Sequence, residues 1–251
     1  MFSKNKYGGL EKGLQEGKFL FKYPPGRNFV GSDSAENFQE NLKIMPDDWY
    51  YRTHEIIYDV NSEGYRTEEF NQIKWNESIV IIGCSNVFGI GLETEHTIPV
   101  KLSKMLSVPV VNLGYPGSSI AVAFHNNVML KENYPKPLGV VNFWTHHARC
   151  VYYSNELQHF THSTMEPGNY MDIWNRDATH ARVNAKIMSK ATRLLWSDTA
   201  YADASIFKDT ADIIGCEYIE ADRNARDRGH PGIEKAEHMA HRFATKLKEQ
   251  L

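Results

Sequence analysis

The stretch IVIIGCSNVFGIGL, residues 79–92, decides how this chain is read. Ile79 to Ile82 form an unbroken apolar run, which is what a strand covered on both faces requires. The run breaks at Gly83-Cys84-Ser85, and two more glycines, Gly89 and Gly91, follow. In an open parallel α/β sheet, ligands bind beyond the carboxyl ends of the strands. A serine presented at such an end is therefore a candidate for chemistry.

Working outward, the pattern repeats. Thr97 is a plausible cap for a helix marked by Ile98, Leu102, Met105 and Leu106. VPVVNL (108–113) reads as a second buried strand ending in the loop GYPGSS, and Ile120, Phe124 and Val128 mark the helix after it. LGVVNFW (138–144) is a third strand, closing on THHAR. Strand, helix and strand in alternation with short loops predict a parallel doubly wound sheet of five strands.

The stretch 145–190 is rich in aromatics and histidines and poor in periodicity, and an insertion is placed at about 150–180 as a rim over the site. Val183 and Ile187 then mark a helix, and TRLLWS (192–197) reads either as a fourth strand or as more of that helix. ASIFKDTADIIG reads as a helix stopped by Gly215, CEYIE as a short strand and ADRNARDRGHPG as a loop. Ile233, Ala236, Met239, Ala240, Phe243 and Leu247 form the apolar stripe of a closing helix. Residues 1–70 read as an N-terminal extension. YPPGR is a turn, and EIIYDVNSEGYR (55–66) is a strand or hairpin packed on the main domain, 71–251.

Composition narrows the function classes. The 251 residues can bury a sizeable core, and 41% hydrophobic with 24% charged residues is ordinary for a globular chain. A net charge of −3, with no basic run, argues against nucleic-acid or anionic-membrane partners. No apolar run is long enough to span a bilayer, and MFSKNKYGGLEKGLQEGK lacks the apolar stretch of a signal peptide. Three widely spaced cysteines, Cys84, Cys150 and Cys216, with no CxxC pair, fit reduced thiols. A cytoplasmic location is the expectation, with virion association or non-standard export left open.

The candidate chemistry lies in the loops at the strand ends. Ser85 needs an imidazole to take its proton before it can act as a nucleophile. The last loop offers His230 with Asp227 three residues before it, a spacing that lets the acid fix one tautomer of the ring and stabilise the imidazolium. Gly117, in the second loop, offers a bare backbone N–H to a developing oxyanion. Taken singly, each has a plainer reading: a βα turn, an exposed polar turn and a turn glycine. Their shared rim carries the argument.

These blocks resemble the SGNH (GDSL-like) hydrolase superfamily of serine esterases and lipases. Its first block, a strand followed by Gly-Asp-Ser-x-x-x-Gly, is matched by IIGCSNVFG, with Cys84 at the usual Asp and Ser85 at the nucleophile. VVNLGYPGSS matches the block whose glycine lends an oxyanion-hole N–H, here Gly117, and DRGHPG matches Asp-x-x-His-Pro, giving Asp227 and His230. YDVNSEGYR also resembles a segment that often precedes the core in these proteins. The resemblance spans roughly residues 55–251, with gaps, and implies a three-layer flavodoxin-like fold. It also implies a Ser85–His230–Asp227 triad and small acyl esters, often acetyl on carbohydrate.

One block departs. The family's third strand ends Gly-x-Asn-Asp and its Asn donates to the oxyanion, whereas NFWTHHAR places His146 there. His146 is the candidate second side-chain donor, against a plain solvated loop. No cofactor and no metal are required, although HHAR and HFTH (His159, His162) invite a metal reading that lacks a third ligand and a defined spacing. Cys84 is read as a packed thiol. A small-molecule or glycan ester is the expected partner, and the oligomeric state is left open. The rivals are a catalytically quiet ligand-binding or structural protein on the same fold, and an O-acyltransferase using the same residues.

Overall fold

The computed structural model describes residues 28–149, 151–154, 159–162 and 171–251. The sequence readings placed on residues 1–27, among them the YPPGR turn, and on Cys150 fall outside these residues.

Strands β1 (Ile79–Gly83), β2 (Val110–Gly114), β3 (Gly139–Trp144), β6 (Ala200–Ser205) and β7 (Glu217–Tyr218) form one parallel sheet in the order β2-β1-β3-β6-β7. Counting only its own members, the order is 2-1-3-4-5, the flavodoxin-like arrangement. The chain moves from β1 to β2 on one side and then to β3 on the other, so β1 and β3 flank the switch point. Gly83 pairs with Gly114 and with Phe143, which levels the carboxyl ends of β2, β1 and β3. The remaining two strands, β4 (Val151–Ser154) and β5 (His159–His162), form a separate antiparallel pair after β3.

Both faces of the sheet are covered. On one, Ile79, Ile81, Val141 and Phe143 pack against Ile98 and Leu102 of α3 (Ile98–Leu106) and Met239, Phe243 and Leu247 of α7 (Ile233–Lys248). On the other, Val80, Ile82 and Val140 meet Ile120, Val122 and Leu130 of α4 (Ile120–Asn133), Ala185 of α5 (Met171–Leu195) and Trp196. The second layer also takes Val30, Tyr51, Ile56, Tyr58 and Tyr65 from the segment before the sheet. This double coverage is why β1 and β3 read as continuous apolar runs. A helix α1 (Ala35–Ile44) capped by Ser34 and a short helix α6 (Lys208–Ile214) complete the layers.

Three expectations change. TRLLWS is not a strand: α5 continues to Leu195, so the helical alternative holds. Its apolar marks, Val183 and Ile187, are exposed, and Ala185, Ser189 and Thr192 face inward instead. The fourth strand is Ala200–Ser205, AYADAS, and α6 begins only at Lys208. Small and polar residues make this strand illegible as an apolar run, because helices press closely on it from both sides. Residues 55–66 form no ladder beyond a single bridge residue at Tyr58. Instead Asn61 builds a turn, its carbonyl accepting the Gly64 N–H at 2.9 Å and its side chain accepting the N–H groups of Glu63 and Tyr65 at 3.1 and 2.9 Å.

The first strand is followed by a single helical turn, α2 (Ser85–Phe88), which lies directly on the end of β2. A Cβ on Gly114 would stand 2.3 Å from the Phe88 nitrogen and 2.7 Å from the Val87 carbonyl carbon, both backbone atoms that cannot give way. Gly114→Ala is expected to lower stability by about 3 kcal/mol in chemical denaturation, since an inserted methyl must push backbone aside. A variant as stable as the wild type would show that α2 is free to back away from β2.

Candidate active site

Ser85 opens α2 immediately beyond β1 and is largely buried, with 7% of its surface exposed. Its hydroxyl rests on the Cys84 sulfur at 3.8 Å and, among the described residues, makes no bond to His230. Catalytic hydrogen bonds are often loose before substrate binds. Among the described residues, neither the Ser85 nor the Gly117 backbone N–H has a hydrogen-bond partner. Both stand at the carboxyl edge of the sheet. Tyr115 N–H and the Ser118 hydroxyl bond the Gly83 carbonyl at 3.0 and 3.2 Å, fixing the Gly117 loop to the end of β1.

Asp227 and His230 meet as the DRGH spacing predicts. His230 Nδ1 lies 2.7 Å from Asp227 Oδ2, and the N–H groups of Gly229 and His230 each donate to Oδ1 at 3.1 Å. The carboxylate has no exposed surface, while the imidazole keeps 16% of its side chain open to solvent. Burial alone pushes the Asp227 carboxyl up. The His230 ring, the Ser32 hydroxyl and the Gly229 N–H outweigh it and hold the acid below the usual carboxylate range. Asp227 is therefore charged at neutral pH.

The loop carrying this couple docks on the turn after α2. Gly91 accepts the Arg226 N–H at 3.0 Å and gives its own N–H to the Tyr58 hydroxyl at 2.7 Å. Its φ is +74°, and a Cβ there would stand 2.8 Å from Ala225 Cβ and 3.1 Å from Asp227 Oδ1. The third glycine of the opening stretch, Gly91, thus lets the tail of the chain approach the turn that follows the Ser85 helix. The docking is locked by a buried ion pair: Arg226 Nη2 lies 2.7 Å from Asp33 Oδ2, and both side chains are almost fully enclosed. Tyr58 donates to the same carboxylate at 2.5 Å, Phe29 and Phe38 flank the guanidinium, and Asn41 of α1 bonds the Arg226 carbonyl at 2.9 Å.

On the far side of Ser85, the loop after β3 holds His146, His147 and Arg149. His146 Nδ1 accepts the Ala148 N–H at 3.3 Å, so its proton sits on Nε2, which faces Asp209 at 3.3 Å. In this arrangement His146 turns Nε2 toward Asp209. Burial pushes both imidazoles below their ordinary value, keeping them largely neutral at pH 7. Arg149 differs: its Nε and Nη1 are buried with no hydrogen-bond partner among the described residues. Burial pushes the Cys84 thiol up, but the charge of Arg149 outweighs it together with the Asn86 N–H and the Ser85 hydroxyl, so the thiol lies below its usual range. The Arg149 charge therefore reaches the atom on which Ser85 rests. Sequence reasoning passed over Arg149, although its place in THHAR, beside the departing block, is the signal that marks it.

Among the described residues, His146, His147 and Asp209, and separately Glu93, Glu95 and His96, bring ligand atoms within 4.8 Å of one another. The backbone of His159–His162 lies in β5. No helix among the described residues is long and apolar enough to cross a membrane.

No protein-family model and no curated protein matches the sequence. In structure, the chain is similar to SGNH hydrolases. A protein assigned to the G-D-S-L lipolytic family from Desulfitobacterium hafniense DCB-2 matches at 16% identity and a TM-score of 0.41, over 68% of this chain and 100% of its own. An acetyl xylan esterase from the rumen bacterium Butyrivibrio proteoclasticus matches at 8% identity and a TM-score of 0.45, over 78% of this chain and 67% of its own. AlinE4, an SGNH-hydrolase family esterase, matches at 12% identity and a TM-score of 0.36, over 72% of this chain and 99% of its own.

Two outcomes follow from the geometry. Asp33→Ala would strand the Arg226 charge in the interior and is expected to cost about 3–5 kcal/mol, read by chemical denaturation. A negligible loss would show that water reaches the guanidinium. Asp227 has its folded value depressed, so the stability it contributes is complete above the ordinary carboxylate value and is lost as pH falls through the lower folded value. The stability gap between wild type and Asp227→Asn should accordingly be open at pH 7 and close in strong acid. A gap that persists unchanged into acid would trace to shape and not to charge.

Proposed function

We propose that the protein is a serine ester hydrolase of the SGNH kind, acting on a small acyl ester. The observation that carries this reading is the buried Asp227 bonded to His230 at 2.7 Å, on a loop docked against the turn that follows the Ser85 helix. Ser85 Oγ swings from the Cys84 sulfur toward His230 Nε2, passes its proton there and forms a bond to the ester carbonyl carbon. Asp227 holds the other nitrogen and stabilises the imidazolium. Collapse of the tetrahedral intermediate breaks the ester C–O bond, and His230 returns the proton to the leaving alkoxide. Water then repeats the sequence on the acyl-enzyme, freeing the acid and Ser85.

The N–H groups of Ser85 and Gly117, unused within the described residues, are the backbone donors to the oxyanion. For the side-chain donor, Nε and Nη1 of Arg149, without a partner among the described residues, suit the role better than His146, whose Nε2 faces Asp209. The sequence resemblance implies an acyl group as small as acetyl, carried on carbohydrate in many such enzymes. The same steps with a sugar hydroxyl in place of water would give acyl transfer.

A fluorophosphonate should label the wild type and leave Ser85→Ala unlabelled, with turnover of p-nitrophenyl acetate lost in parallel. An unlabelled wild type would favour a catalytically quiet protein on this fold. Removing one oxyanion donor costs about 10²-fold in turnover, so Arg149→Ala should fall by that order and His146→Ala by much less. The reverse ranking would return the role to His146.

A further inference from the structure

Asp227 receives one bond that its own loop does not supply. The Ser32 hydroxyl, 195 residues away in sequence, donates to Oδ2 at 2.6 Å, the same oxygen that holds His230 Nδ1. With the Gly229 and His230 N–H groups on Oδ1, the carboxylate has four donors, which is its full capacity. Three of the four belong to the loop. The fourth arrives on a tight turn from the segment before the sheet.

Packing does not account for this contact. Ser32 is an exposed residue, whereas the next residue, Asp33, is fully enclosed. The turn Gly31-Ser32 is nevertheless held firmly. Val30 and Asp33 exchange backbone bonds at 2.8 and 3.1 Å, and Asn37 of α1 donates to the Ser32 carbonyl at 2.8 Å. Asp33 is anchored on Arg226, the neighbour of Asp227. The anchor and the hydroxyl therefore address adjacent residues of one loop from adjacent residues of one turn. A charged carboxylate also bonds a hydroxyl about twice as strongly as a neutral acceptor does.

We propose that Ser32 is a positioning residue of this site. Its hydroxyl fixes the rotation of the Asp227 carboxylate and closes Oδ2 to water, so that the acid meets His230 Nδ1 in one geometry and with part of its charge already engaged. The proposal rests on the reading of Asp227 and His230 as acid and base. Without the hydroxyl, Oδ2 attracts the imidazolium more strongly and the ring loses its fixed setting. His230 then takes up its proton at higher pH, and turnover falls.

The test uses the full chain, p-nitrophenyl acetate as the ester, and NMR titration of the His230 ring, which needs no substrate. Ser32→Ala should move the His230 titration midpoint and the acidic limb of the rate profile to higher pH together. It should lower kcat about tenfold with little change in KM, the scale of a small misplacement of a catalytic group. Ser32→Thr, which keeps the hydroxyl, should restore both. An unmoved midpoint and limb overturn the proposal, and so does a loss of kcat with the midpoint unmoved, which marks a merely structural role. Should Ser32→Ala fail to fold, Ser32→Cys, of similar size but a poor donor, is read by the same criteria. A wild type that neither reacts with fluorophosphonate nor hydrolyses the ester sinks the esterase reading alone, because the NMR comparison still reports whether Ser32 acts on His230 through Asp227.

Discussion

The buried pair between Arg226 and Asp33 is the constraint on which the site depends. It joins positions 193 residues apart, and each partner is almost fully withdrawn from water. A charge so enclosed is tolerable only with its counter-charge and enough hydrogen bonds in place. Here the Asp33 carboxylate takes bonds from the guanidinium and from Tyr58, while the guanidinium also reaches the Asn28 carbonyl at 2.5 Å. The loop that follows Arg226 has little freedom left. Asp227 comes next in the chain and inherits its position from that pair.

Around this fastening, the rim is built by close backbone approach. Gly114 lets α2 lie on the end of β2, and Gly91 lets the 225–230 loop lie on the turn after α2. Both contacts leave no room for a methyl group. The result places a helix-opening serine and an acid–imidazole couple on one carboxyl edge of a parallel sheet, the place where such sheets receive ligands. Electrostatics across the rim is uneven. His146 and His147 are kept largely neutral by burial, Asp227 is kept charged by its four donors, and Arg149, whose charge is felt at the Cys84 thiol, has its buried Nε and Nη1 without a hydrogen-bond partner among the described residues. Negative charge that develops near Ser85 would meet Arg149 without first displacing a partner of its Nε or Nη1.

Much of the fold was legible because burial on two faces writes itself into composition. Ile79–Ile82, Val110–Leu113 and Val140–Trp144 lack a polar alternation, being broken only by Asn112 and Asn142, and each lies in a strand of the sheet. The closing helix was equally clear, its stripe from Ala236 to Leu247 facing the sheet. AYADAS failed as a signal because small side chains under closely packed helices leave no hydrophobic run, and TRLLWS misled because Leu194, exposed on α5, looks like a core residue in one dimension. The expected hairpin at 55–66 gave way to an Asn61 turn, since one asparagine side chain satisfies two backbone N–H groups that a partner strand would otherwise have bonded.

By itself, the sequence determined the αβ alternation, the strand break at Gly83 and the Asp227–His230 couple. Each is local: periodicity, a turn, and a three-residue spacing are settled by residues close together along the chain. What only the tertiary structure decided is which distant groups complete the site. The donation of Ser32 to Asp227, the clamp of Asp33 on Arg226 and the approach of His146 to Asp209 all depend on partners far apart in sequence. Such contacts leave no periodic trace, because they arise where separate elements happen to be brought together, and hydrogen bonding in a buried place depends on direction and distance that residue order does not carry.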